Sequence, residues 1–222
     1  MAPKITAFAL DIDGTILQTE HLQYESWREV LKPLGVRLGR KAYLSYCGQT
    51  GKLNAAQFCQ RHCLAIQPSV LLKRKERLVR LWISRKNPRL MPGARKLLVL
   101  LSRSCLPIAA VTGAPRRELL LKLRKAGVAH FFSVLVASCD VEKSKPHPAP
   151  YLAACRQMGA KPKSTLAFED TWHGVESAKR AGLAVIAVPS AYARGQDFSR
   201  ADFVCKDLRE ACKIARRLIA KK

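Results

Sequence analysis

Acidic residues are scarce in this chain of 222 residues: 16 Asp and Glu stand against 40 Lys and Arg, a formal net charge of +24. Long apolar runs are missing as well. No stretch reaches the roughly 18 apolar residues that a membrane-spanning helix requires, so none is expected. Cysteine is present at eight positions but never as a CxxC pair, and eight is too sparse for a disulfide scaffold. Cys59, His62 and Cys63 offer three metal-ligand types with no second half to close a zinc site, so ordinary thiols in a reducing compartment are expected. Internal repeats and low-complexity tracts are absent too. What remains is a chain with 48% apolar residues, ordinary for a globular protein, which excludes disorder and collagen-like sequence. Its length fits one domain, or one domain carrying an insert. An apolar run opens at Ile5 and reaches Asp11, which leaves no room for a cleavable leader and makes a cytoplasmic protein the expectation.

Five short apolar blocks read as buried strands, at 5–10, 106–112, 132–138, 165–168 and 184–188. Each is nearly continuous rather than alternating, as a parallel sheet covered on both faces demands. Helical patterns at 93–103, 115–127, from Pro148 or Pro150 to 159, and 174–181 alternate with the later strands. This rhythm specifies an α/β, Rossmann-like parallel core. It is broken once, between Gly14 and Met91, where only helical patterns occur, at 22–34, 40–46, 53–63 and 69–84. A crossover needs only about a dozen residues, so this interval is expected to be an inserted all-helical cap at 16–90, with the core formed by 1–15 and 91–222.

What ends each strand carries the chemistry. The first ends in Asp11-Ile12-Asp13-Gly14-Thr15, the second in Val111-Thr112-Gly113, and the fourth in Glu169-Asp170; Lys145 follows the third. Ligands of open parallel sheets bind beyond the carboxyl ends of the strands, so these groups can converge in one crevice. Carboxylates crowded there repel one another unless a cation sits among them. A hard divalent ion such as Mg²⁺ suits oxygen ligands and keeps open positions for a phosphate. Thr112 supplies a hydroxyl and Lys145 a point charge, both suited to phosphate oxygens. A carboxylate can attack phosphorus, and a second can protonate the leaving alkoxide and later deprotonate water.

These motifs, DIDGT, VTG, SKPHPAPY around Lys145 and FEDTWHGVESAKRAG, resemble the four motifs of the haloacid dehalogenase superfamily, in the same order, from about residue 8 to 188. Within it the chain is similar to the group of β-phosphoglucomutase and phosphoglycolate-type phosphatases. The resemblance implies a helical cap on a Rossmann-like core. It also implies Asp11 as nucleophile, Asp13 as general acid/base, and Thr112 and Lys145 as holders of the transferring phosphoryl group. Mg²⁺ would be bound by Asp11, the backbone carbonyl of Asp13 and Asp170, with Glu169 in support. The superfamily's dehalogenases carry Tyr where Asp13 stands, and its phosphonoacetaldehyde hydrolases a small residue, so Asp13 points to phosphate esters. The mutase carries a His ten residues after its second Asp and an Arg in its cap. Here those places hold Gln23 and the segment Gly48-Gln49-Thr50-Gly51-Lys52. Hydrolysis of a small, sugar phosphate-like metabolite is therefore the expectation, with phosphosugar mutation as the alternative and a basic nucleic-acid-binding protein on the same fold as a further one.

Gly113, Gln49 and Lys52 are the candidates for contacts to the rest of the substrate. Tyr24, Trp27 and Trp82 are expected in the core, and His147 and His173 are expected to orient loops. The basic excess is uneven: between Val30 and Arg117 the only acid is Glu76. Runs such as Lys73-Arg74-Lys75 and 213–222 could track a phosphate backbone, yet no aromatic residues interleave with them and no nucleic-acid-binding motif appears. A solvated basic face is expected, and nucleic acid is not the expected partner. The sequence leaves oligomeric state open.

Overall fold

The computed structural model describes residues 4–220. The outermost residues of the expected core, 1–3 and 221–222, lie outside the described residues, as does the end of the basic run at 213–222. The first strand, β1 (Ala7–Asp11), is wholly buried and leads into a helical insert made of α1 (Glu20–Leu31), α2 (Arg40–Tyr43), α3 (Gly51–Arg61) and α4 (Pro68–Arg85). The chain then alternates through α5 (Ala94–Ser102), β2 (Ile108–Val111), α6 (Arg116–Lys125), β3 (Val134–Val136), α7 (Ala149–Gln157), β4 (Thr165–Glu169), α8 (Trp172–Arg180) and β5 (Ala184–Ala187). It closes with β6 (Phe203–Val204) and α9 (Leu208–Ala220). The six strands lie in the order β3-β2-β1-β4-β5-β6, and every neighbouring pair is parallel. An α/β, Rossmann-like core with an inserted helical cap is thus the architecture, as the alternation of strand and helix implied.

Strand geometry sends alternate side chains to opposite faces. Phe8 and Leu10 of β1 pack with Leu97, Leu98, Leu119 and Leu123 of α5 and α6 and with Leu208 and Ala215 of α9. Ala9 faces the other way, joining Ala109, Ala167 and Ala187 against Ala153, Ala154 and Ala178 of α7 and α8. This second face is rich in alanine, with Val111, Val136, Val185 and Tyr151 among the larger side chains that complete it. The insert has a separate apolar cluster, centred on Trp27, Leu31, Phe58 and Leu71. The two chain crossings between core and insert run side by side: Gln18 N–H donates to Arg89 O (2.8 Å) and Met91 N–H to Ile16 O (2.9 Å). Among the described residues no helix is long and apolar enough to cross a membrane.

Several boundaries differ from the expected ones. The strand expected at 5–10 ends at Asp11, so this carboxylate sits on the strand itself. The helix expected from Gly174 begins at Trp172, because the Thr171 hydroxyl accepts from Gly174 N–H (3.3 Å) and caps it. Strand β6 and helix α9 were not anticipated. α9 buries Leu208, Ala211, Cys212 and Ala215, a spacing of i, i+3, i+4 and i+7 that is amphipathic despite the basic residues around it.

Candidate active site

Parallel pairing aligns the carboxyl ends of β1, β2 and β4, and the strand-end residues meet there. Lys145 is the hub. Its Nζ donates to Asp11 Oδ1 (2.7 Å) and Glu169 Oε1 (2.5 Å), and the ammonium is buried with them. Glu169 is completely buried and also accepts from the Tyr151 hydroxyl (2.5 Å), which reaches it from α7. Thr15 donates to Asp170 Oδ1 (3.2 Å). Two glycines make this packing possible. Gly14 has φ +95° and a Cβ there would stand 2.2 Å from Asp170 Oδ2; a Cβ on Gly174 would stand 1.9 Å from the Glu169 carboxylate. Gly174→Ala is therefore expected to cost roughly 3 kcal/mol, the upper end of ordinary overpacking, because the neighbour that must move is a buried, paired carboxylate. Denaturant unfolding checks this; a change below about 1 kcal/mol would show that Glu169 moves aside freely.

Asp11, Glu169 and Asp170 each bring an oxygen within 4.8 Å of the others. Burial, with Glu169 and Asp13 adding to it and Lys145 opposing it, holds the Asp11 carboxyl well above the usual carboxylate range. Burial followed by Asp11 and Glu169 does the same to Asp170. Asp11 Oδ2 and Asp170 Oδ2 are buried and have no donor among the described residues. Two orphaned anionic oxygens beside a third carboxylate are the donor set of a hard divalent cation, so the residues fit such an ion.

The Asp13 side chain is not part of that cluster; the group of Asp13 expected at the metal is its backbone carbonyl. The carboxylate instead accepts from Thr19 Oγ1 (2.5 Å) and Lys122 Nζ (2.5 Å) at Oδ1, and from Thr112 Oγ1 (2.9 Å) at Oδ2. Burial would raise its pKa, but Lys122 and these hydrogen bonds bring it below the ordinary value. Thr112, expected at the phosphoryl group, thus spends its hydroxyl on Asp13 and accepts from Ala114 N–H (3.1 Å). Sequence reasoning passed over Lys122 entirely. Its ammonium is fully buried between Asp13 and Glu118 (2.5 Å to each).

A cavity of about 340 Å³ opens over these groups, lined by Asp11, Asp13, Thr112, Gly113, Lys145 and Asp170 from the core and by Gln49, Lys52, Asn54 and Lys75 from the insert. All three expected substrate contacts, Gly113, Gln49 and Lys52, therefore face it. Gln49 and Lys52 flank the start of α3, which Thr50 caps by accepting from Leu53 N–H (3.3 Å). The insert meets the core through polar groups that sequence reasoning did not find. Lys75 donates to Gln23 Oε1, and Gln23 Nε2 donates to Glu118 Oε1 (3.2 Å). Trp27 is buried against Phe58 (5.1 Å between rings) but also borders the cavity, whereas Tyr24 and Trp82 are half-buried. His147 accepts from Ala149 N–H through Nδ1 (3.2 Å) and holds Ser177 through its carbonyl (2.6 Å), so it organises its loop. His173 packs edge-on to Trp172 at the start of α8. Cys59, His62 and Cys63 do not form a ligand cluster: among the described residues only Asp11, Glu169 and Asp170 bring three such atoms together.

Residues 9–188 match the haloacid dehalogenase-like hydrolase family. The chain is 32% identical over 220 residues to protein CbbY of Rhodobacter capsulatus, covering 94% of this chain and 96% of that one. It is 28% identical to the fructose-1-phosphate phosphatase YqaB of Escherichia coli, over 85% of this chain and 98% of YqaB. The crystal structure of CbbY from Rhodobacter sphaeroides in complex with phosphate superposes with a TM-score of 0.85 at 27% identity, covering 93% of this chain and 96% of that one. The strand-end carboxylates with their buried lysine, the helical insert above them and a match across most of the sequence lead to one assignment: the chain belongs to the haloacid dehalogenase-like hydrolase family.

Proposed function

We propose that this protein is a Mg²⁺-dependent phosphatase that hydrolyses small, sugar phosphate-like metabolites through an aspartyl-phosphate, with the helical insert at 16–90 acting as cap to a core of 1–15 and 91–222. The observation that carries the reading is the buried trio of Asp11, Glu169 and Asp170, with Lys145 bridging Asp11 and Glu169 and with Asp11 and Asp170 lining the cavity. Asp11 and Asp170, with the backbone carbonyl of Asp13, would hold the ion, and Glu169 would support it through Lys145. Mg²⁺ bound there would neutralise the carboxylates and the phosphate oxygens together. The Asp11 carboxylate attacks phosphorus; the new Asp–O–P bond forms as the bond to the alcohol oxygen breaks, and Asp13, ionised in the free protein, passes to the departing oxygen a proton it takes up from solvent when substrate binds. Asp13 then takes a proton from water as that water cleaves the Asp–O–P bond, which regenerates Asp11 and releases phosphate. Lys145 holds Asp11 in place, and Thr19, Thr112 and Lys122 fix the Asp13 carboxylate.

The mutase alternative meets an obstacle in Gln23. Where that mutase has a histidine able to carry a proton, this chain has an amide whose two ends are already spent on Lys75 and Glu118. The test is phosphate release from an aryl phosphate and a panel of phosphorylated metabolites, with Mg²⁺ and then with the metal removed by chelation. Activity should appear with Mg²⁺, vanish with the chelator and return on adding Mg²⁺ back. Full activity in excess chelator would overturn the metal-dependent reading. Formation of glucose 6-phosphate from β-glucose 1-phosphate and its bisphosphate would overturn hydrolysis in favour of mutation.

A further inference from the structure

Glu118 lies on α6, a core helix, and reaches the cavity beside the insert. Its carboxylate is buried, with a relative exposure of 1%. Burial alone would raise its pKa, but Lys122 and then Lys75 bring it below the ordinary value, so it is an anion. One oxygen is fully engaged: Oε1 accepts from Lys122 Nζ (2.5 Å) and Gln23 Nε2 (3.2 Å). The other, Oε2, has no donor among the described residues. A buried ionised oxygen without a donor carries a full desolvation penalty, which a ligand group can remove.

The surroundings say what kind of group that is. Gln49 Oε1 and Asn54 Oδ1, across the same cavity, are also buried acceptors without donors among the described residues. Each amide nitrogen donates one of its two hydrogens to a backbone carbonyl, Ser45 O (3.0 Å) and Tyr46 O (3.2 Å). With Glu118 Oε2 this makes three acceptors without donors at one cavity, and a ligand rich in hydroxyl hydrogens supplies what they lack. Positive charge beside Glu118 is also spoken for, and the insert's other cation at the cavity, Lys52, is exposed near the start of α3. On this side the ammoniums of Lys75 and Lys122 stand among the carboxylates of Asp13, Glu20 and Glu118. A second phosphate or a carboxylate would bring more acceptors and more negative charge to a wall that already has both.

We propose that Glu118 is a specificity-determining residue: its free oxygen takes a hydrogen bond from a hydroxyl of the leaving group, and its charge turns away esters with a second anionic group. This rests on the phosphatase reading above and narrows the substrate class to polyhydroxylated monophosphates. Lys122 and Gln23 act through Glu118 here, as positioning residues that hold the carboxylate by one oxygen and leave the other to the substrate.

Steady-state kinetics with three probes, a hexitol monophosphate, the corresponding bisphosphate and phosphoglycolate, test the assignment. The wild-type enzyme should favour the monophosphate over each of the others by about tenfold or more in kcat/KM, the scale of a like-charge penalty across a desolvated contact. Glu118→Gln keeps the size and one acceptor oxygen but removes the charge. It should improve the bisphosphate relative to the monophosphate by about tenfold, mainly through KM. Glu118→Ala should raise the KM of the monophosphate as well. A residue with only a structural role would change all three substrates in parallel. Wild-type preference for the bisphosphate, or selectivity ratios that do not move in Glu118→Gln, would overturn the proposal while leaving a phosphatase in place. The wild-type comparison needs no variant, so a poorly folded mutant does not protect the idea. If no ester at all is turned over, the phosphatase reading fails and this inference fails with it.

Discussion

Asp11→Asn is expected to lower phosphate release by a factor on the order of 10⁴ or more, the scale seen when a covalent nucleophile is removed. The amide keeps the shape of the carboxylate and can still accept from Lys145, but its oxygen is too poor a nucleophile to displace an alkoxide. The fold should not suffer. Without a cation, Asp11 is pushed toward its neutral form by burial and by Glu169 and Asp13, so a neutral side chain relieves crowding rather than creating it. The variant should therefore unfold in metal-free buffer at about the wild-type temperature or above it. Wild-type protein should be stabilised by added Mg²⁺ in proportion to its affinity, by RT ln(1 + [L]/Kd), and the variant less so. Phosphate assays together with thermal unfolding, with and without Mg²⁺, separate these effects. Activity within tenfold of wild type would take the nucleophile's role away from Asp11.

The largest expected effect on stability belongs to Lys122→Met. Methionine fills similar space with an apolar chain, yet it leaves Asp13 and Glu118 as two buried carboxylates without the one cation that pairs directly with both. Breaking a buried ion pair from one side costs about 3–5 kcal/mol, because the stranded charge remains desolvated. Adding Glu118→Gln to this variant should recover a substantial part of the loss, since one of the two stranded charges goes. That makes the pair strongly non-additive in a double-mutant cycle. Urea unfolding of the four proteins measures it. A loss of less than about 1 kcal/mol for Lys122→Met would mean the ammonium is not buried between the two acids.

The contrast between Lys145 and Lys122 shows how far the sequence could be read. Lys145 stood out because it follows a strand in a loop, where a polar side chain has nothing local to do, and because the other strand ends carried acids. Lys122 sits in Arg-Arg-Glu-Leu-Leu-Leu-Lys, four residues after Glu118, which is the ordinary spacing of a solvated ion pair on a helix surface. What buries it is α4 of the insert packing against α6, a contact between segments far apart in the chain. Lys75 was read in the same way, as one member of a basic run, and the structure turns it inward toward Gln23. Charged residues made local sense on the surface, and only tertiary contact decided otherwise. The strands, by contrast, were legible because burial on both faces writes a continuous apolar block. α9 carried a readable periodicity that its dense Lys and Arg obscured, while β6, two exposed residues long, had too little pattern to detect.

The position of β1 also bears on how the protein is made. Phe8, at the centre of the sheet, lies between Ile108 and Leu166, so β1 is made well before either of the strands it pairs with, β2 and β4. Synthesis proceeds from the N-terminus, and segments whose contacts are local close first. The helices between β1 and α5 hold one another through α1, α3 and α4 and are complete before β2 exists. Asp11 meets Glu169 only once β4 has emerged. The insert over the site is therefore synthesised before most of the floor, and the clustered carboxylates come together only when β4 pairs with a strand made long before it.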